Sequence, residues 1–319
     1  MSDHIEVLLV GCGSMAIEYA KVLTALGVSI KTVGNSKVGA DRFYDATGIK
    51  ATPGSIELYV SNTKDIPSFA IVATPMLTLA TVTRLLLEAG VKNILVEKPG
   101  CFNMVEALEI LTLKQEKNAR INIAYNRRFL ASSMEAERII AEDGGLSSFN
   151  FEFTEWASTV EKTGHPDIVK QNWLLGNSTH VIDLAFYHGG HPVEMYSFIS
   201  GELSWHINGA VYSGAGRTDR GCLFSYQANW LAPGRWGVEL LTNNHRIYLR
   251  PMEKIGIQKI NSVSVEELIT DDELDKLYKP GFYEQTRIFL TNGDDSRLCT
   301  IEEHVENMKI YERIAGLKK

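Results

Sequence analysis

Residues 5–16 read Ile-Glu-Val-Leu-Leu-Val-Gly-Cys-Gly-Ser-Met-Ala. Ile5–Val10 is a short apolar run rich in β-branched residues, as a buried strand requires. After the glycines, Ala16, Tyr19, Leu23 and Leu26 recur at helical spacing until Gly27 ends the pattern. Strand, glycine turn and helix together form a Gly-x-Gly-x-x-Ala unit with a definite mechanism. Gly11 permits the tight turn, Gly13 lets the backbone approach a pyrophosphate, and the small Ala16 lets helix and strand pack closely. The helix N-terminus favours the negative charge. Glycine turns also end strands for purely structural reasons, but here the flanking elements are those the mechanism needs. Gly11, Cys12, Gly13, Ser14 and Met15 are therefore expected to hold a dinucleotide.

Outward from this turn, strands and helices alternate. Val28–Val33 reads as a second strand and Phe69–Ala73 as a third. Leu79, Val82, Leu86 and Ala89 form one helix face, stopped by Gly90. Asn93–Val96 is another strand, closed by Glu97-Lys98-Pro99. Asn103 with Glu106 resembles a capping box, and Ile121 and Ile123 mark the last strand of the region. This alternation implies crossover units and a parallel sheet. Ligands on such sheets bind at the carboxyl ends of the strands. The glycine turn, Thr74-Pro75 and Glu97-Lys98 then share one edge, which adds Thr74, Pro75, Glu97 and Lys98 to the expected cofactor contacts.

An acid near the end of the second strand would accept from an adenosine ribose and repel a 2′-phosphate. Gly34-Asn35-Ser36-Lys37 stands there instead, with no Asp or Glu. Ser36 and Lys37 could instead hold a phosphate, so NADP(H) is favoured over NAD(H), and Asn35, Ser36 and Lys37 join the expected cofactor contacts. The plainer reading of Lys37 is a solvated loop lysine.

After about residue 145 the texture changes. Phe149, Phe151 and Phe153 alternate with polar residues. Residues 194–200, 204–212, 221–230, 236–241 and 246–250 are further strand candidates, with helices near 133–142 and 178–188. Thr300 with Glu303 is a second capping box, leading a helix face of Ile301, Val305, Met308 and Tyr311. The expected architecture is α/β. A Rossmann-type, doubly wound parallel sheet occupies 1–124, and an α+β domain on a large, open, mostly antiparallel sheet occupies 125–319.

The 319 residues are long enough for two domains. A formal net charge of −7 gives no basic footprint for nucleic acid. No apolar run approaches the ~20 residues that span a bilayer, and no signal-peptide pattern opens the chain. The cytoplasm is the expected location. Cys12, Cys101, Cys222 and Cys299 have no CxxC spacing, and no metal site is expected.

Hydride transfer to a ketone needs one group to polarise the oxygen and one to carry a proton. Lys98 is placed for the first role and His180, with a pKa near 6.5 when unperturbed, suits the second. Asn177 or Ser178 could cap the helix that carries His180, and Asp183, one turn on, could orient the imidazole. The alternative is a helix-terminal histidine held for structural reasons. In Tyr125-Asn126-Arg127-Arg128-Phe129 the arginines could meet a sugar phosphate or carboxylate, or equally pair with Glu135 or Glu137.

Gly-x-Gly-x-x-Ala, Ala73-Thr74-Pro75, Val96-Glu97-Lys98-Pro99, Tyr125–Phe129 and His180-x-x-Asp183, in that order, resemble the Gfo/Idh/MocA oxidoreductases over nearly the whole chain. The resemblance implies a tightly held NAD(P)(H), a sugar, cyclitol or sugar-nucleotide substrate, and Lys98 and His180 as catalytic residues. It implies a homodimer or homotetramer built through the C-terminal sheet. Asn126 would join the cofactor contacts, and Tyr125, Arg127, Trp173 and Asn177 would line the substrate site with His180. Two positions depart from the family pattern. Gly176 stands where many members carry an Asp, and Leu79 where a His is common. The sequence thus leads to an NAD(P)-dependent oxidoreductase acting on CH–OH groups. The alternatives are a non-catalytic cofactor-sensing regulator, or a redox-neutral epimerase or glycosidase that recycles its cofactor.

Overall fold

The computed structural model describes residues 5–291, 293 and 295–317. The chain forms two compact units, Met1–Asn126 with Leu274–Glu306, and Arg127–Glu273 with Asn307–Lys319.

The first unit opens with β1 (Glu6–Val10), α1 (Ser14–Ala25), β2 (Ser29–Gly34), α2 (Lys37–Thr47), β3 (Ala51–Pro53) and α3 (Ile56–Asn62). It continues with β4 (Phe69–Val72), α4 (Leu79–Glu88), β5 (Asn93–Glu97), α5 (Met104–Lys117) and β6 (Arg120–Ala124). The second unit holds α6 (Ala131–Glu142), β7 (Ser148–Glu152), α7 (Ala157–Glu161), α8 (Asp167–Gln171) and α9 (Thr179–Gly189). Its remaining strands are β8 (Pro192–Ser200), β9 (Val211–Thr218), β10 (Leu223–Asn229), β11 (Gly237–Leu241), β12 (His245–Leu249), β13 (Ile255–Lys259) and β14 (Glu266–Leu268). The chain ends with α10 (Glu273–Leu277), α11 (Phe282–Thr291), β15 (Cys299–Thr300) and α12 (Ile301–Ile314).

The first sheet has the order β15-β6-β5-β4-β1-β2-β3. Strands β1 to β6 run parallel, and only β15 is antiparallel, pairing Cys299 with Ile123. Val7–Leu9, Ala70–Val72 and Ile94–Leu95 are fully buried. Continuous apolar runs of this kind belong to strands covered on both faces. Strand order reverses beside β1, which puts the switch point at the glycine turn. Helix α5 begins as its capping pair requires. Asn103 Oδ1 accepts from Glu106 N at 3.0 Å, and the Glu106 carboxylate accepts from Phe102 N at 2.7 Å.

The second sheet has the order β14-β13-β12-β11-β7-β10-β9-β8, antiparallel except for the β7–β10 pair. Its inner face carries Phe149, Phe151, Phe224 and Tyr226. The first three meet Phe186 of α9 with ring centroids 5.7, 5.6 and 5.1 Å apart. Aromatic burial dominates this core. The fold class therefore agrees with the sequence reading.

Several details differ from expectation. Residues 204–210 form turns rather than a strand; Leu203 bridges His206, whose ring lies 2.9 Å from Gly209 O. The strand expected over 204–212 instead starts at Val211. Strands β13 and β14 and helix α11 carried no clear signal. In α11 the buried positions include Gln285 and Thr286, which blur an apolar stripe. Neither Asn177 nor Ser178 caps α9. A π-helical turn, Leu174–Ser178, precedes that helix.

Arg128 and Asp183 form the central ion pair of the second unit. Arg128 Nε and Nη2 donate to the two Asp183 oxygens at 2.8 and 2.6 Å, with side chains 1% and 0% exposed. Asn307 Nδ2 adds a bond of 3.3 Å, and the guanidinium lies 4.7 Å from the Tyr187 ring centroid. Removing one partner leaves a buried charge uncompensated, which costs about 3–5 kcal/mol. Arg128→Met should lose that much in urea denaturation, and Arg128→Met with Asp183→Leu should recover most of it. A single variant as stable as the parent would show that this pair does not hold the core.

Candidate active site

The carboxyl edge of the first sheet is assembled from backbone that only particular residues permit. Gly11 has φ +123°, and a Cβ there would overlap the carbonyl oxygen of Ala73. Gly11 N donates to Val33 O and Ala73 N to Val10 O, each at 2.8 Å. These bonds draw the ends of β1, β2 and β4 together. Gly13 is the N-cap of α1, makes no side-chain cap bond, and has open space where a Cβ would stand. No acid occupies the first turn of α1. The start of α1 therefore keeps N–H groups with no side chain to satisfy them, as an anion site needs.

Thr74 Oγ1, at the end of β4, is buried with no hydrogen-bond partner among the described residues. Cys12 packs against Gly34 and Gly39, so its side chain lies over the end of β2. Burial pushes the Cys12 thiol pKa up, against a reactive thiolate. Asn35, Ser36 and Lys37 are exposed. Ser36 Oγ also accepts from Gly39 N at 3.1 Å and so caps α2, a structural task beside any ligand contact. A glycine cradle, a bare helix start and an orphaned threonine hydroxyl fit a dinucleotide.

Glu97 ends β5 and is buried; Tyr19 Oη donates to its Oε1 at 2.8 Å. Burial raises the Glu97 pKa, opposed by the Lys98 ammonium, the Tyr19 bond and Lys279. Lys98 itself is half-buried, and Pro75 is exposed. Asn126 is buried, with its amide donating to Pro280 O at 2.8 Å. Tyr125 is 1% exposed, its ring 6.1 Å from that of His304. With its oxygen facing β6, the Gln285 amide accepts from Asn126 N at 3.2 Å and Tyr125 N at 3.3 Å. The returning segment thus fixes the backbone just beyond β6.

In the second unit Arg127 donates to Glu253 at 2.6 Å. Glu135, an expected partner of the arginine pair, is held by Arg138. His180 lies in the first turn of α9, half-buried, its ring centroid 5.9 Å from that of Trp236. Asp183, expected to orient it, has both oxygens engaged by Arg128. Trp173 stands 5.5 Å from the His165 ring. The Asn177 amide donates to both oxygens of Glu155, at 3.1 and 3.0 Å. Glu155, Arg235 and Trp236 belong to this cluster and were missed. Glu155 falls two residues beyond the alternating phenylalanines, an acid directly after a buried strand, which was its only trace in the sequence. Among the described residues no three His, Cys, Asp or Glu side chains are grouped to hold a metal, and no helix is long and apolar enough to cross a membrane.

Comparison with known proteins agrees with this geometry. Residues 5–125 match a family model described as "Oxidoreductase family, NAD-binding Rossmann fold". No curated protein matches the sequence. The structure is similar to UDP-N-acetylglucosamine 3-dehydrogenase from Acidithiobacillus ferrooxidans, with 14% identity, TM-score 0.77, and coverage of 98% of this chain and 97% of that one. It is similar to a dehydrogenase from Clostridium difficile, at 17% identity and TM-score 0.80 over 99% and 100% of the two chains. It is also similar to levoglucosan dehydrogenase solved with NADH, at 16% identity and TM-score 0.80 over 98% and 96%. At these identities the likeness establishes the fold. Residues 5–125 thus match the Gfo/Idh/MocA oxidoreductase family through its NAD-binding Rossmann fold.

Proposed function

We propose that the protein is an NADP(H)-dependent oxidoreductase acting on a hydroxyl or carbonyl of a sugar, cyclitol or sugar nucleotide. The observation that carries this reading is the uncapped start of α1 behind Gly11 and Gly13, on the same sheet edge as Lys98. Gly11 to Met15 would hold the pyrophosphate, with Thr74 and Pro75 beside it. A bound nicotinamide supplies or takes up the hydride. The Lys98 ammonium donates to the substrate oxygen and stabilises negative charge as it develops. Glu97 beside it contributes a counter-charge. His180 takes or returns the hydroxyl proton. Tyr125, Asn126 and Arg127 are engaged with their own unit, so their proposed role is to shape the site through the backbone they fix. The nucleotide-sugar and anhydrosugar dehydrogenases among the structural relatives support the substrate class.

Purified protein, followed at 340 nm against polyols, aldoses and nucleotide sugars, tests the reaction. Lys98→Ala should lower turnover at least ~10²-fold with cofactor affinity retained. An unchanged rate would remove Lys98 from the chemistry. Cofactor bound with no net absorbance change across the panel would favour the regulator or the closed redox cycle.

The absence of any acid at Gly34–Lys37 supports NADP(H). The Michaelis constant for NADP should lie below that for NAD, and Lys37→Ala should narrow the gap. A strong preference for NAD would reject this assignment.

A second copy of the chain is the proposed partner of the outer face of the second sheet. Tyr196, Phe198 and Leu223 are 65%, 72% and 61% exposed there, in a concave surface shared with Ser213, Ala215 and Arg217. Apolar patches of this kind mark association surfaces. Light scattering should show a dimer or tetramer that Phe198→Glu weakens; a monomeric parent protein would end this proposal.

A further inference from the structure

Glu155 lies just past β7, outside every motif recognised in the sequence. It is 2% exposed, yet donors from separate stretches of chain meet on its two oxygens. Asn177 Nδ2 reaches both, Ser178 Oγ reaches Oε1 at 2.8 Å, and Trp236 Nε1 reaches Oε1 at 3.2 Å. The Arg235 guanidinium stands 3.5 Å from Oε2. Burial raises the Glu155 pKa, while Ser178, Arg235, Trp173 and Asn177 oppose that shift.

These donors are the residues around His180. Asn177 and Ser178 end the π-helical turn that leads into α9, so Ser178 is two residues from the imidazole. Such turns place backbone and side chains where a regular helix would not. Trp236 is the ring beside His180. Arg235 is stacked over Trp236 at 4.2 Å and over Trp156 at 4.7 Å. One carboxylate therefore grips both the chain entering His180 and the aromatic surface next to it. Gly176 offers no side chain for this task, and the Asn177 amide is directed to Glu155 rather than along the helix. A buried carboxylate is costly to desolvate, and packed apolar residues of similar volume often serve stability as well or better. Its donors gather around one imidazole, and the specificity of that arrangement indicates its purpose.

We infer that Glu155 is a positioning residue for His180, clamping Asn177-Ser178 and Trp236 around the imidazole. The inference deepens the reading of His180 as the proton carrier and rests on it.

Ethoxyformylation of histidines by diethyl pyrocarbonate, read by peptide mass spectrometry on the full chain, tests the clamp without a substrate. In Glu155→Ala the rate at His180 should rise about fivefold, as loss of several bonds to a charged acceptor would allow. His245, held 2.7 Å from Asp143 elsewhere in the same unit, is the internal control and should keep its rate. Glu155→Asp, which keeps the charge, should restore most of the parent behaviour. Ser178→Ala removes a single donor and should give a smaller rise at His180 alone, which keeps the test usable if Glu155→Ala does not fold. An unchanged His180 rate in both variants overturns the inference. A parallel rise at His245 also overturns it, because general loosening would then be the cause. The functional reading fails by a different measurement, full turnover of the panel substrate by His180→Ala.

Discussion

The backbone of Gly11 passes so close to the Ala73 carbonyl that no side chain fits between them. This contact joins the ends of two parallel neighbours, and the remaining geometry of the sheet edge follows from it. Because β1 and β4 end together, the turn after each emerges on the same side. The start of α1 and the Thr74 hydroxyl then belong to one surface, and β5 delivers Lys98 to the same edge. A positive φ here makes the position intolerant of any L-residue with a Cβ. The chemistry of the edge thus begins as a steric condition on one residue.

The second unit solves a different problem. Its aromatic inner face supplies the burial, but charged and polar groups are taken into the interior with it, Arg128, Asp183, His188 and Glu155 among them. Arg128 and Asp183 are joined by two hydrogen bonds. His188 has its pKa lowered to about 3, chiefly by burial and then by Arg128 and Arg220, and is neutral in the folded protein. Glu155 is surrounded by donors. Each is a place where the fold accepts desolvation in return for a fixed arrangement, and each lies within or against α9 or the turn before it. The helix carrying His180 is thereby pinned along its length.

Much of the first unit was legible because its signals are local. A strand run, a glycine turn and a helix face occur within twenty-odd residues, and both capping boxes could be read from two residues apiece. The second sheet was legible as alternation, apart from β13, β14, most of β9 (213–218 were not expected as strand) and the segment 204–210, where turn geometry overrides a strand-like composition. The site in the second unit was legible only in part. His180 stood out by type and neighbours, but its support comes from Glu155 and Trp236, which lie 25 residues before and 56 residues after it. An acid just past the alternating phenylalanines is the one local mark of Glu155, and nothing local ties either residue to His180. Asp183 shows the converse: helical spacing pointed it towards His180, and a more distant arginine took it.

The return of residues 274–306 to the first unit bears on how the protein is made. The first 126 residues emerge from the ribosome with β6 at an open edge and Tyr19 without its aromatic neighbour. Phe282 reaches Tyr19, with ring centroids 4.7 Å apart, and Cys299 pairs with Ile123 only after residues 127–273 of the second unit have been synthesised. Nascent chains usually complete domains in N-terminal order. Here the leading half must wait, partly assembled, for the last segments of the polypeptide to seal it. Expression of the N-terminal half by itself would leave that seam exposed.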